Sequence, residues 1–132
     1  MKQAAGFRVD TERIDERTVV IAVAGEVDLY TAPELKRELV AAVDQGARKI
    51  VVDLSEATFI DSTTLGVLLS GVKRLRPLGG ELAVVCTDRN IRKIFEITLL
   101  DRVFTISDST EAGIAHLREP ARRMGSGLSS PD

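Results

Sequence analysis

The chain has 132 residues, 44% hydrophobic and 29% charged, with 18 Lys and Arg against 20 Asp and Glu for a formal net charge of −2. That length suits one compact domain that can bury a working core, and the near-balanced charge excludes a general attraction to nucleic acid or anionic lipid, both of which need a basic excess. The one cysteine, Cys86, excludes an intramolecular disulfide and, at the end of an apolar run, reads as a buried small hydrophobe in a reducing compartment. No run is long enough to cross a bilayer, and Met1 to Gly6 lead into an alternating segment without an apolar signal core, so a cytoplasmic location without membrane insertion is expected.

Residues 7 to 14 alternate Phe7, Val9 and Thr11 against Arg8, Asp10 and Glu12, which predicts a half-exposed strand. Asp15-Glu16-Arg17 supplies a polar turn, and Thr18 to Ala24 is the returning strand. Gly25 to Tyr30 then bridges to Thr31-Ala32-Pro33-Glu34, a strong helix start: Thr31 as cap, Glu34 completing a capping box, and Pro33 in the first turn, where its missing N–H costs little. Ala32, Leu35, Leu39, Ala42 and Val43 are the expected buried stripe, and Gly46 offers the left-handed residue that commonly ends a helix. Lys49 to Leu54 is a β-branched run of the kind found in strands covered on both faces, and Ser55-Glu56-Ala57-Thr58 connects it to Phe59.

The next stretch, Phe59-Ile60-Asp61-Ser62-Thr63-Thr64-Leu65-Gly66-Val67-Leu68-Leu69, organises the rest. Leu65, Leu68, Leu69, Val72 and Leu75 have the spacing of one core-facing helical stripe. Ser62 therefore sits at the helix start, where its hydroxyl has an ordinary capping role available. On the opposite face Thr63, Gly66, Val67 and Ser70 cluster, with Arg74 further along. Such a smooth, uncharged face admits two readings: a partner surface, or close packing of Gly66 and Ser70 against a neighbouring element. Asp108-Ser109-Thr110-Glu111 repeats the tripeptide before another helical segment in a capping-box pattern, and serves as an internal control.

Pro77-Leu78-Gly79-Gly80 forces a turn, Glu81 to Cys86 forms a short strand, and Asp88 caps a segment carrying Ile91, Ile94 and Phe95. Val103 to Ile106 is the last predicted strand, and Ser109 or Asp108 opens a final helix with Ile114 and Leu117, ended by Pro120. Residues 121 to 132 have little to bury and are expected to form a flexible tail, leaving one domain over 1–118 and a tail over 119–132. The order predicts a single α/β domain with about four helices and a mixed, mainly parallel sheet, to which the N-terminal hairpin adds an antiparallel strand.

Chemistry is sparse. Gly79-Gly80 lacks the spacing of a phosphate-binding loop, and His116 and Cys86 are solitary, so neither a nucleotide cofactor nor a metal is expected. A Ser-His-Asp system would need His116 beside Ser62 with nothing in the sequence to orient it, and no enzymatic activity is expected. Asp28, Asp53 and Asp61 each fall at or soon after a predicted strand end, and an acidic pocket accepting a phosphoryl group on Asp53, as in a two-component receiver, is one alternative. Against it, a receiver carries Lys after its last strand, whereas here Ile106 is followed by Ser107 and Asp108.

Three features taken in order carry a more specific resemblance: Gly25-Glu26-Val27-Asp28 with Thr31-Ala32, then Val51-Val52-Asp53-Leu54, then Phe59-Ile60-Asp61-Ser62-Thr63. Over about residues 7 to 118 the chain resembles the STAS family, the domain shared by bacterial anti-sigma-factor antagonists and the cytoplasmic ends of sulfate transporters. The resemblance implies a STAS-like fold and matches Ser62 to the antagonists' phosphorylatable serine, with Asp61 as the preceding acid. It implies an anti-sigma factor with serine kinase activity as partner, sigma-factor release while the serine is unmodified, ATP held by the kinase, and a serine phosphatase that resets the switch. Asp28, Asp61, Ser62, Thr63, Thr64, Gly66, Val67 and Ser70 are the expected partner-binding residues. The family often has Gly two residues after the serine, and this chain has Thr64, which adds bulk that could narrow partner choice or a hydroxyl that could accept a second phosphate. A soluble STAS subunit of a membrane transport complex, binding without phosphorylation, is the alternative within the family.

Overall fold

A computed structural model describes residues 6–118. Within these residues there are five strands, a largely polar and exposed β1 (Arg8–Arg13) and the more apolar β2 (Thr18–Val27), β3 (Lys49–Ile60), β4 (Glu81–Val85) and β5 (Thr105–Ser107), in one sheet of order β1-β2-β3-β4-β5. β1 runs antiparallel to β2, and the other pairings are parallel. The mixed, mainly parallel architecture expected from the sequence is the one present. Among the described residues four helices complete it: α1 (Ala32–Asp44), α2 (Ser62–Leu75), α3 (Arg89–Ile97) and α4 (Thr110–Arg118).

Side chains alternate across a pleated strand, so each central strand feeds two cores. Val19, Ile21 and Val23 of β2, Ile50, Val52 and Leu54 of β3, and Leu82 and Val84 of β4 face one way and pack with α1, α2 and α3 in the larger core. Val20, Val51, Ala83 and Val85 face the other way, where Leu117 and partly buried Ile114 of α4 cover them. Crossovers of one hand between strands laid down consecutively put the connecting helices on one face. Only α4, which comes after the last strand, is released to the other.

The α1 stripe is buried as expected at Ala32, Leu35, Leu39, Ala42 and Val43. The α2 stripe is wider than its spacing suggests, because Thr64, Val67 and Gly71 join Leu65, Leu68, Val72 and Leu75 in burial, while Leu69 is only partly covered. The cause is a second contact. α2 packs on α1 as well as on the sheet, and a Cβ at Gly71 would meet Leu82 Cδ1 at 2.9 Å and Leu39 Cδ1 at 3.5 Å. Close packing is thus the property of Gly71, not of Gly66, whose Cβ position has nothing within 4 Å.

Several boundaries differ from expectation. β3 does not stop at Leu54 but continues through Ser55-Glu56-Ala57-Thr58 to Ile60, pairing with the end of β2 across two register shifts. The last strand starts at Thr105, because Leu99 in the left-handed region (φ 63°) and a 3₁₀ turn over Leu100–Arg102 hold the preceding backbone. Phe104 is buried edge-to-face against Phe95 at 5.8 Å between ring centroids. Pro120 and residues 121–132 lie outside the described residues.

Candidate functional site

β2 and β3 end together, with Val27 opposite Ile60 on the last rung of their ladder. The connections to α1 and α2 therefore leave the same end of the sheet side by side, the side on which open α/β sheets collect ligands. Each opens on an aspartate that turns the chain. Asp28 Oδ1 accepts from the N–H groups of Tyr30 (2.9 Å) and Thr31 (3.2 Å). These donors, Tyr30 foremost, hold its carboxyl below the usual carboxylate range.

Thr31 does not form the expected capping box. Its backbone is already helical, it makes no side-chain cap, and its hydroxyl faces back, donating to Glu26 O and accepting from Asp28 N–H, each at 2.9 Å. Thr31 and Asp28 thereby brace the loop between them. That loop carries Leu29 and Tyr30 outward, 61% and 85% exposed, and Phe59 on the neighbouring strand is 48% exposed. Sequence periodicity missed these three residues, since none belongs to a repeating pattern. The available signal was two adjacent large apolar side chains in a turn between a strand and a capped helix.

Ser62 is not the cap of α2. Asp61 takes that place in extended conformation (φ −127°, ψ −174°), and its Oδ1 accepts from Thr64 N–H at 3.1 Å. Ser62 is the first helical residue, exposed, and makes no side-chain hydrogen bond to a described residue. The second Asp-Ser-Thr behaves differently. Asp108 pairs with Arg92, and Ser109 Oγ accepts from Ala112 N–H at 3.1 Å. The same tripeptide is thus shifted by one position between the two helices.

Thr64 is fully buried, and its hydroxyl donates to Val27 O at 2.7 Å, tying the start of α2 to the end of β2. This corrects the expectation that Thr64 contacts a partner or accepts a second phosphate. Val67, expected on the exposed face, is also buried, because α2 packs on α1. The surface that remains combines exposed Ser62 and Gly66, half-buried Thr63 and Ser70, and the Leu29-Tyr30 loop across the sheet end. Ser70 Oγ donates to Val67 O at 2.6 Å.

Asp53 does not join Asp28 and Asp61. It lies within β3 on the rung of Ala22 and Val85, where it accepts from Ser55 N–H and from the Thr110 hydroxyl at 3.0 Å. The acidic pocket required by the receiver reading does not form, because β3 runs on past the strand end that the sequence suggested. Cys86 is buried, which raises its thiol, and His116 is half-buried on α4. Among the described residues no group of side chains could hold a metal ion, and no helix is long and apolar enough to cross a membrane.

This chain thus joins a parallel-centred sheet with an antiparallel edge strand to a capped helix that presents an exposed serine at its start. The chain matches the STAS domain over residues 9–113 and belongs to that family. It is similar to the anti-sigma-B factor antagonist of Bacillus subtilis (strain 168), 33% identical over 108 residues covering 82% of this chain and 97% of that one. It is also similar to the anti-sigma-B factor antagonist of Staphylococcus aureus (strain NCTC 8325 / PS 47), 35% identical over 91 residues covering 69% and 84%. The crystal structure of an anti-sigma factor antagonist from Mycobacterium paratuberculosis superposes with a TM-score of 0.80 at 26% identity, over 90% of this chain and all of that one.

Proposed function

We propose that this chain is an anti-sigma-factor antagonist: it binds an anti-sigma factor that is also a serine kinase, frees the sigma factor while Ser62 is unmodified, and is switched off by phosphorylation of Ser62. The observation that carries the reading is the exposed, unengaged Ser62 hydroxyl at the positive end of α2, on a sheet end that also presents Leu29 and Tyr30. An aromatic anchor beside a small-residue helix face suits a protein partner, since tyrosines concentrate at interface hot spots. The names of the relatives that cover most of this chain support the same partner class.

Phosphorylation adds about −1.5 to −2 charges beside the N-terminus of α2, a placement that favours the helix, while neighbouring Asp61 repels it. The two effects oppose each other, so the fold changes little. A partner packed over Thr63, Gly66 and Ser70 has instead to bury the new charge, which costs several kcal/mol without a counter-ion and lowers affinity by orders of magnitude. A serine phosphatase restores the binding form.

The test is affinity capture from the native cell with the wild type, Ser62→Ala and Ser62→Asp, followed by phosphosite mapping. The reading expects an ATPase kinase retained by Ser62→Ala and lost or weakened by Ser62→Asp, with phosphate on Ser62 of the wild type. Recovery of membrane transporter subunits without phosphate would establish the alternative, a soluble subunit of a transport complex.

A further inference from the structure

The two Asp-Ser-Thr segments ask the same residues to start a helix and receive different answers. At Ser109 the hydroxyl oxygen is occupied by the Ala112 N–H, while Asp108 is paired with Arg92. At Ser62 the oxygen is unengaged, because Asp61 Oδ1 satisfies the Thr64 N–H in its place. The Thr64 side chain fixes this register: its hydroxyl donates to Val27 O at 2.7 Å and also lies 3.3 Å from Asp61 Oδ1, so the cap is buttressed from inside the core. A helix start leaves N–H groups without an intrahelical partner, and a side-chain acceptor at the cap can take one of them. Whichever residue supplies it loses the freedom of that oxygen.

From this we infer that Asp61 is a positioning residue that selects Ser62 as the phosphoacceptor by taking over the capping role, and that Ser109 is refused because it caps. The inference rests on the proposed phosphorylation of Ser62 for its consequence, and on the hydrogen bonds alone for its cause. In the transfer, Ser62 Oγ bonds to the γ-phosphorus of ATP held by the partner kinase, and the bond from that phosphorus to the β–γ bridging oxygen breaks. ADP leaves, and the hydroxyl proton passes to a base of the kinase. An oxygen that spends one of its two lone pairs on a helix N–H is a weaker nucleophile, and its fixed rotamer costs it the freedom to line up with the phosphorus.

With Asp61→Ala the capping role falls to Ser62, which then resembles Ser109. With Asp61→Asn the cap survives without the charge, since Asn and Asp cap about equally well. Two measurements separate the possibilities, each on full-length protein whose melting curve shows that it is folded. Side-chain three-bond couplings by NMR read the rotamers: Ser62 is averaged in the wild type and in Asp61→Asn, fixed in Asp61→Ala, and Ser109 is fixed in all three. Labelled ATP with the captured kinase reads phosphate at each serine: Asp61→Ala lowers incorporation at Ser62 about ten-fold and Asp61→Asn restores it, the scale of a lost hydrogen bond plus a displaced rotamer. If Asp61→Asn loses as much as Asp61→Ala, Asp61 acts through its charge on the kinase and the inference is overturned. It is overturned equally if Ser62 is fixed in the wild type, or if Ser109 takes phosphate at the rate of Ser62. If the wild type takes no phosphate while Ser62 becomes fixed in Asp61→Ala alone, the phosphorylation reading fails and the selection fails with it, and Asp61 is left only as the residue that keeps Ser62 out of the cap.

Discussion

Thr64 and the two glycines of α2 act on stability through separate routes. Thr64 is buried with its hydroxyl on Val27 O, so Thr64→Val removes a buried donor and should lower stability by about 1–3 kcal/mol, whereas Thr64→Ser keeps the bond and should lose less. Gly66 and Gly71 carry opposite expectations. Gly66→Ala places its methyl in open space and removes a helix-interior glycine, so denaturant melts should show a gain of about 0.5–1 kcal/mol. Gly71→Ala drives a methyl to 2.9 Å from Leu82 Cδ1 in the core and should cost about 1–3 kcal/mol. If Gly66→Ala also weakens capture of the partner while raising stability, Gly66 is part of the docking surface.

At the scale of elements, α2 and α4 differ in what holds them. Leu68 is fully buried in the larger core, and Leu68→Ala should cost about 2–5 kcal/mol in a denaturant melt. α4 covers a smaller cluster through Leu117 and Ile114, with Thr110 bonded to Asp53 near one end and Arg118 paired with Asp15 at the other. Its amides should therefore exchange with deuterium through a local opening, ahead of those of α1 and α2. The α1 stripe was legible in the sequence because one face meets one core, which is what a 3.6-residue period encodes. Val67 was not, because burial on α2 also depends on α1, and a single-helix pattern carries no record of a neighbour's angle. Ser55 to Thr58 were illegible as strand for a related reason: Ser55, Glu56 and Thr58 are exposed, and the segment is held by backbone pairing with β2. The serine at the helix start was legible, but its freedom was not, since Asp61 and Ser62 are both good caps and the sequence does not say which of them takes the Thr64 N–H.

For the whole molecule, the hairpin turn before β2 contributes one part of the response to acid. Asp15 accepts from the N–H groups of Arg17 and Thr18 and pairs with Arg118, and these interactions, Arg17 foremost, lower its pKa from 3.8 to about 2. A depressed carboxylate contributes stability that is present above its unfolded value and is lost as pH falls through its folded value. Between 3.8 and about 2, the wild type should therefore lose stability with acid, and Asp15→Asn should lack that part of the slope in melts taken across the window. The strand order has a wider meaning. The strands lie in the sheet in the order in which the ribosome makes them, so each emerging strand from β2 onward finds its neighbour already available. The larger core can thus be assembled while synthesis is under way. The opposite face has no such schedule: Val20, Val51, Ala83 and Val85 stay uncovered until α4, the last of the described helices, has been made. Until α4 docks, that apolar strip has no cover and is open to a chaperone or to a wrong neighbour.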